Sequence, residues 1–311
     1  MESLLRQKKK KCLLGDLKNH WQLFLFILPA LAYLLIFCYV PMGGVLIAFE
    51  NYDPVRGIFG GPWVGWTKFK MFFDSYYFGT ILKNTLVISL YSLVVNSLVP
   101  VVVALIINEI PSKRFKRFVQ GVSYSPYFVS LVVLVGIFNM FLKQDGGLIN
   151  QMIVACGGTA IDFLGNPALF STIYVLSGLW QGVGWWAVVY VGALSNVPSS
   201  LHEAAAIDGA NRWQRILHID LPSILPLFTT LLILSMGSLM SVGFEKAYLM
   251  QNASNREVSE IIATYTYLVS FVTAKDFSFG TAVGLFNSFI NVILLIIANT
   301  LSKKINQQSL F

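Results

Sequence analysis

Charge is what this sequence has least of. Lys, Arg, Asp and Glu make up 12% of its 311 residues, where a soluble domain carries about 25%. That leaves too few charges to solvate a globule of this size. With 56% hydrophobic residues, the composition is that of a polytopic membrane protein. Cysteine is scarce as well. Cys12, Cys38 and Cys156 show no C-x-x-C spacing and give no disulfide framework. His20, His202 and His218 are scattered, so no zinc or haem signature is present. Gly60 and Gly65 have P-loop spacing, but Trp66-Thr67 stand where Lys-Ser/Thr is required. No Ser/His/Asp set gathers at one membrane face, and no metal or cofactor is expected in the chain. A membrane-embedded enzyme acting on lipid-linked sugars would need clustered carboxylates or histidines, which are missing. Proton-coupled carriers bury Asp, Glu or His in their spans. Here the apolar stretches are nearly free of ionisable groups, so a secondary carrier is disfavoured. Energy for any transport has to come from outside the chain.

Long apolar runs are abundant. A helix crossing the hydrocarbon core needs about 20 mostly apolar residues. Trp21–Phe49, Asn84–Asn108, Phe118–Leu142, Leu169–Leu194, Leu221–Phe244 and Phe277–Ser302 qualify, which predicts an all-α membrane protein with six transmembrane helices. Trp21–Phe49 is longer than the 7–15-residue apolar region of a signal peptide, so it reads as a retained first span. Ile261–Ala274 is apolar but short, which favours an interfacial or re-entrant helix. The bases orient the spans. There are 22 Lys and Arg against 15 Asp and Glu, a formal charge of +7. They cluster at Arg6 to Lys11, at Lys113, Arg114, Lys116 and Arg117, at Arg212 and Arg215, and at Lys303-Lys304. With both termini cytoplasmic, these clusters all fall inside, as the positive-inside rule asks. Membrane topology therefore explains the basic balance, and nucleic acid does not enter.

The cytoplasmic stretch from Pro198 reads PSSLHEAAAIDGANRWQRILHIDLPSILP. Ser200-x-x-Glu203 predicts a capping box at a helix start. Leu201, Ala204, Ala205 and Asp208 follow at helical spacing, and Gly209 offers a left-handed stop. A second short helix, Asn211–His218, then leads through Leu221-Pro222 into the fifth span. The alanines leave a shallow face that another protein can approach closely.

Glu203-Ala204-Ala205, three residues, Gly209, nine residues and Ile219-x-Leu221-Pro222 resemble in full the EAA motif of binding-protein-dependent ABC importer permeases. Further stretches resemble the carbohydrate (polysaccharide and aldouronate-type) subfamily: Pro41-Met42-Gly43-Gly44, Gly61-Pro62-Trp63-Val64-Gly65, Trp180-Gln181-Gly182-x-Gly184-Trp185 and Thr281-Ala282-Val283-Gly284 among them. The resemblance implies a type I importer permease core (MetI-like) with an extra N-terminal helix, lodged in the bacterial cytoplasmic membrane among its lipids. It implies a basic cytoplasmic tail (1–20), a first transmembrane helix (21–49), a permease core (80–302) containing the coupling segment 199–222, and a cytoplasmic C-terminal tail (303–311). Glu203, Ala204, Ala205, Asp208, Gly209, Ile219, Leu221 and Pro222 would then couple to a separate ATPase subunit, which binds ATP and Mg. The other implied partners are a second permease, an external solute-binding protein at outer segments 51–78 and 251–279, and a saccharide.

Candidate pathway residues come from polarity inside apolar spans. A buried amide or hydroxyl there must be paired or face a cavity. Tyr91, Asn96, Asn139, Trp180, Gln181, Trp185, Asn287 and Asn291 qualify. Aromatic faces and amides suit sugar rings, and interhelical hydrogen bonding is the competing use.

Overall fold

The computed structural model describes residues 21–58 and 60–306. The basic tail before Trp21 and the residues after Asn306 lie outside them, as do the expectations placed there. The chain falls into two compact units, Met1–Lys68 and Phe69–Phe311. Among the described residues the secondary structure is helical, apart from one isolated antiparallel bridge between Glu50 and Trp63.

The first unit is a single long helix and a closed loop. Helix α1, Trp21–Phe49, carries no acid or base and has most of its apolar side chains exposed. The loop then folds back on the helix end. Val64 and Gly65 both donate to the Phe49 carbonyl at 2.8 and 2.9 Å, and Asn51 donates to Pro62. Trp63 stacks on Phe49 at 5.7 Å, while Trp66 meets it edge-on. The Gly61-to-Gly65 stretch is thus a clasp. A Cβ at Gly61 would strike the Asn51 carbonyl.

The second unit holds α2 (Thr67–Phe73, which starts at the unit boundary), α3 (Phe78–Asn108), α4 (Lys113–Tyr124), α5 (Leu131–Leu142), α6 (Leu148–Ala155) and α7 (Pro167–Leu194). It continues with α8 (Ser199–Ile207), α9 (Arg212–Met236), α10 (Phe244–Met250), α11 (Arg256–Ser259), α12 (Ile262–Thr273) and α13 (Phe277–Asn306). Four helices, α1, α3, α9 and α13, are long and apolar enough to cross a membrane, and a fifth span arises if the bent α4–α5 pair counts as one. α7 adds 28 residues without an acid or base. Its start is set by Pro167 at the first turn, with the Asn166 side chain accepting from Ala168. α12 is too short to span, in keeping with its sequence.

Two expected spans are corrected. Phe118–Leu142 is not one straight helix. It turns by 100° between a 3₁₀ turn, Ser125–Phe128, and α5. Pro126 cannot continue a helical hydrogen-bond ladder, and Ser130 caps the new helix by accepting from Val133. The fifth span does not run to Phe244. It stops at Met236, and a turn over 237–243 leads into α10.

α3 and α7 pack along each other and carry the core of this unit. Toward one end, Ile88 meets Leu134, Val135, Tyr174, Val175 and Ala247. Toward the other, Val101, Ala104 and Ile107 meet Ala187, Tyr190, Val191 and Ile224. A third cluster gathers Phe72, Ile81, Met240, Ile262, Phe279 and Val283. Small residues set the closest approach, as in membrane bundles generally. A Cβ at Gly184 of α7 would collide with the backbone of Ser123 and Tyr124 in α4, whereas Gly192 has open space. Gly184→Ala is therefore expected to destabilise the chain by at least 1–3 kcal/mol, the usual cost of overpacking. Gly192→Ala should be neutral or slightly stabilising. Thermal unfolding in detergent compares the two, and equal melting temperatures would contradict the close approach.

Candidate functional site

The segment that carried the strongest sequence signal is a helix with an uncapped start and a defined stop. α8 begins after Pro198, which makes no side-chain cap. Ser200 is already in the first turn and Glu203 lies exposed in the middle, so the expected Ser200/Glu203 capping box does not form. It forms one element later. The Asn211 side chain accepts from the Gln214 amide at 2.9 Å, and the Gln214 side chain accepts from the Asn211 amide at 2.8 Å. The stop of α8 is as expected. Gly209 has φ +79°. Ala210 donates to the Ala205 carbonyl at 2.9 Å and Gly209 to the Ala206 carbonyl at 3.1 Å, the paired bonds of a Schellman ending.

The expected separate helix Asn211–His218 is also revised. From Arg212 the chain runs unbroken to Met236. One widened turn, Ile216–Asp220, sits just before Pro222, where an ordinary ladder would lack a donor. Asp220 occupies the unassigned position of Ile219-x-Leu221-Pro222. Its side chain is 1% exposed, and His202 Nε2 of α8 lies 3.3 Å from its Oδ1. This contact ties α8 to the root of α9, and the sequence reading passed over both residues. Leu201, Ala204, Ile207 and Trp213 stay exposed, leaving an apolar surface next to the Asp208-Gly209 turn.

A cavity of about 350 Å³ lies between the two halves of the α3–α7 core. α3 supplies Ser89, Ser92, Asn96 and Ser97; α7 supplies Tyr174, Trp186 and Tyr190; α9 and the turn after it supply Ser235, Ser238 and Ser241. α10 adds Lys246, whose Nζ donates to the Tyr174 carbonyl at 2.6 Å and lies 4.5 Å from the Tyr174 ring centroid. Ser89 is 5% exposed and its hydroxyl has no hydrogen-bond partner among the described residues. Among those residues, no group of three His, Cys, Asp or Glu could hold a metal.

Of the eight candidate pathway residues, Asn96 lines this cavity. Gln181 donates instead to the Val129 carbonyl at 2.8 Å, at the break between α4 and α5. Trp185 stacks on Tyr127 at 4.7 Å, and Trp180 meets Phe138 edge-on. Asn291 accepts from the Met240 amide at 2.9 Å and donates to the Ser241 hydroxyl. Asn287 has a buried Oδ1 without a partner among the described residues. Tyr91 packs on the cluster around Ile88, and Asn139 is exposed on α5. The serines were missed, although Ser89, Ser92 and Asn96 stand at i, i+3 and i+7 on one helical face. Lys246 lies outside the expected apolar spans and was missed with them.

The relocated cap is testable. Asn211→Ala is expected to cost about 0.5–2 kcal/mol, as loss of an N-cap does. Ser200→Ala should change stability by no more than about 0.5 kcal/mol, as for an ordinary surface position. Thermal unfolding in detergent separates them, and a larger loss at Ser200 would restore the original capping box.

Comparison with known proteins places this arrangement. The family model for the binding-protein-dependent transport system inner membrane component matches residues 96–307, which takes in α8, α9 and most of the cavity lining. The polygalacturonan/rhamnogalacturonan transport system permease protein YteP of Bacillus subtilis is 42% identical over 99% of this chain and 96% of its own length. Protein LplB of Bacillus subtilis is 40% identical, over 96% of this chain and 93% of its own. A crystal structure of a bacterial alginate ABC transporter, in complex with an alginate pentasaccharide-bound periplasmic protein, superposes with a TM-score of 0.87. It covers 95% of this chain and 99% of the solved one, at 33% identity. A second solved chain, from a bacterial ABC transporter involved in the import of the acidic polysaccharide alginate, gives the same TM-score at 34% identity. With a family model matched over residues 96–307 and relatives aligned nearly end to end, this chain belongs to the family of binding-protein-dependent transport system inner membrane components.

Proposed function

We propose that this chain is the transmembrane permease subunit of an ATP-driven, binding-protein-dependent importer of a carbohydrate, an oligosaccharide or a polysaccharide fragment. It is a transport subunit and not an enzyme. One named relative is a polygalacturonan/rhamnogalacturonan transport system permease protein and the superposed structure is of an alginate ABC transporter, and the serine- and tyrosine-lined cavity offers the hydroxyl partners that a sugar needs. ATP and Mg belong to separate ATPase subunits. The assembly we infer pairs this chain with a homologous permease, ATP-binding cassette subunits and an external solute-binding protein.

The reading includes a topology. Six spans, α1, α3, the bent α4–α5 pair, α7, α9 and α13, cross the cytoplasmic membrane with both termini inside. α1 precedes the family-matched core as an additional N-terminal helix. The basic cluster on α4 and the α8–α9 corner then face the cytoplasm.

The observation that carries the mechanism is the continuity of α9. Its 25 residues span about 37 Å at 1.5 Å per residue. Asp220, about a third of the way along, is tied to α8 by His202, and Ser235, about 22 Å further on at 1.5 Å per residue, lines the cavity. Movement of α8 in an ATPase groove would therefore reach the cavity through a single helix. Glu203, Ala204, Ala205, Asp208 and Gly209 present the docking surface, while Ile219, Leu221 and Pro222 shape the corner. ATP can drive transport only if the two global states bind the partners differently.

Gly209→Val places a Cβ in the left-handed region at a cost of about 1–2 kcal/mol, which corresponds to roughly a tenfold loss of correctly docked α8. In the reconstituted importer, binding-protein-stimulated ATPase activity and uptake should both fall by about that factor. Glu203→Ala should impair the same coupling while leaving the fold intact, since Glu203 is exposed and caps nothing. Wild-type coupling in both variants would reduce α8 to an ordinary surface helix.

A further inference from the structure

The cavity contains one residue that a neutral sugar does not require. Lys246 is 7% exposed, and its ammonium faces a space lined otherwise by hydroxyls, an amide, aromatic rings and aliphatic groups. No Asp or Glu lines that space. Among the described residues Lys246 forms no ion pair. Its neighbours are the Tyr174 carbonyl and the Tyr174 ring. An ammonium has three N–H donors, and one is used on that carbonyl. Burying a charge is costly unless it is paired and hydrogen-bonded. Tyr174 supplies partial compensation through its carbonyl dipole and ring face, but no countercharge.

The surroundings keep room for one. Gly178 lies one turn along α7 from Tyr174, and a Cβ there would come within 2.9 Å of Nζ. The absence of that methyl is what lets the ammonium reach the cavity wall. The Ser89 hydroxyl, also on the lining, is buried and unpartnered among the described residues. A cation without a countercharge and an unpartnered hydroxyl thus line the same cavity. At about 350 Å³ the cavity is at the small end of ligand pockets, which run from about 300 to 1,000 Å³, enough for a short segment of a saccharide.

We propose that Lys246 is a specificity-determining residue that reads the carboxylate of an acidic, uronate-containing saccharide during its passage through the cavity. The inference rests on the carbohydrate-importer reading and adds the substrate's charge to it. A carboxylate takes charge-assisted hydrogen bonds from Nζ, which are stronger than those of a neutral hydroxyl. An uncharged saccharide of the same length would pass without that interaction.

The test uses the whole importer in proteoliposomes, with its binding protein loaded to saturation. Trigalacturonate and an alginate trisaccharide serve as acidic probes, and their carboxyl methyl esters serve as neutral ones, with loading of each probe measured separately. Lys246→Met is expected to lower initial uptake of the acidic probes at least tenfold and of the esters less than twofold. Lys246→Arg should restore most of the acidic uptake. Gly178→Ala keeps the charge but displaces it, and it should raise KM for the acidic probes with little change for the esters. It supplies the same comparison should Lys246→Met not assemble. Equal losses for acidic and neutral probes would make Lys246 a structural prop and overturn the proposal, and so would wild-type discrimination in both variants. Uptake of neither class by the wild-type importer would instead refute the carbohydrate reading on which the proposal stands.

Discussion

A backbone amide or carbonyl inside hydrocarbon has no water to bond, and leaving it unpaired costs several kcal/mol. A straight helix meets that requirement by itself, but this chain breaks its helices repeatedly. At several breaks a side chain replaces the missing partner. Gln181 takes the Val129 carbonyl where the chain turns by 100°. Asn291 takes the Met240 amide after α9 ends. Asn84 takes the Glu257 and Glu260 carbonyls, and Thr85 takes the Ile262 amide, where α11 gives way to α12. The positions of these four side chains fix where the second unit can bend.

The same constraint separates two populations of polar residues. Those bonded to broken backbone hold the architecture together. Others line the cavity, among them Ser89 and Asn96 from α3 and Lys246 from α10. The apolar clusters on either side, around Ile88 and around Ala104, close the α3–α7 interface above and below that space. α9 joins this cavity to α8. The Gly209 turn, the Asn211–Gln214 cap and the His202–Asp220 contact leave little slack along the way.

Much of this was legible in the sequence, for reasons that differ by element. The apolar runs gave the long helices because the bilayer demands length and the absence of charge. The Gly209 stop was legible because few residues tolerate a positive φ. The capping box was misplaced by one element, since Ser200-x-x-Glu203 and Asn211-x-x-Gln214 both fit the pattern and only the chain direction after Pro198 decides between them. The kink near Pro126 was passed over because Phe118–Leu142 carries no charge, although Ser125-Pro126 marks the break. The use of Gln181 and Asn291 depends on partners 52 and 51 residues away, which periodicity does not reveal. Lys246 is five residues from Ser241 in the chain and looked like a loop base; its burial under Tyr174 is a tertiary fact.

Polar side chains in the spans include backbone partners and cavity walls, and losing one should not have the consequence of losing the other. The direct measurement is a comparison of Gln181→Leu and Asn96→Leu, by thermal unfolding in detergent and by uptake in the assembled importer. Gln181→Leu strands the Val129 carbonyl and should cost about 1–3 kcal/mol of stability. Asn96→Leu should melt like the wild type or slightly above it, yet transport poorly. A variant at Asn96 that loses as much stability as the one at Gln181, or that transports normally, would contradict the division.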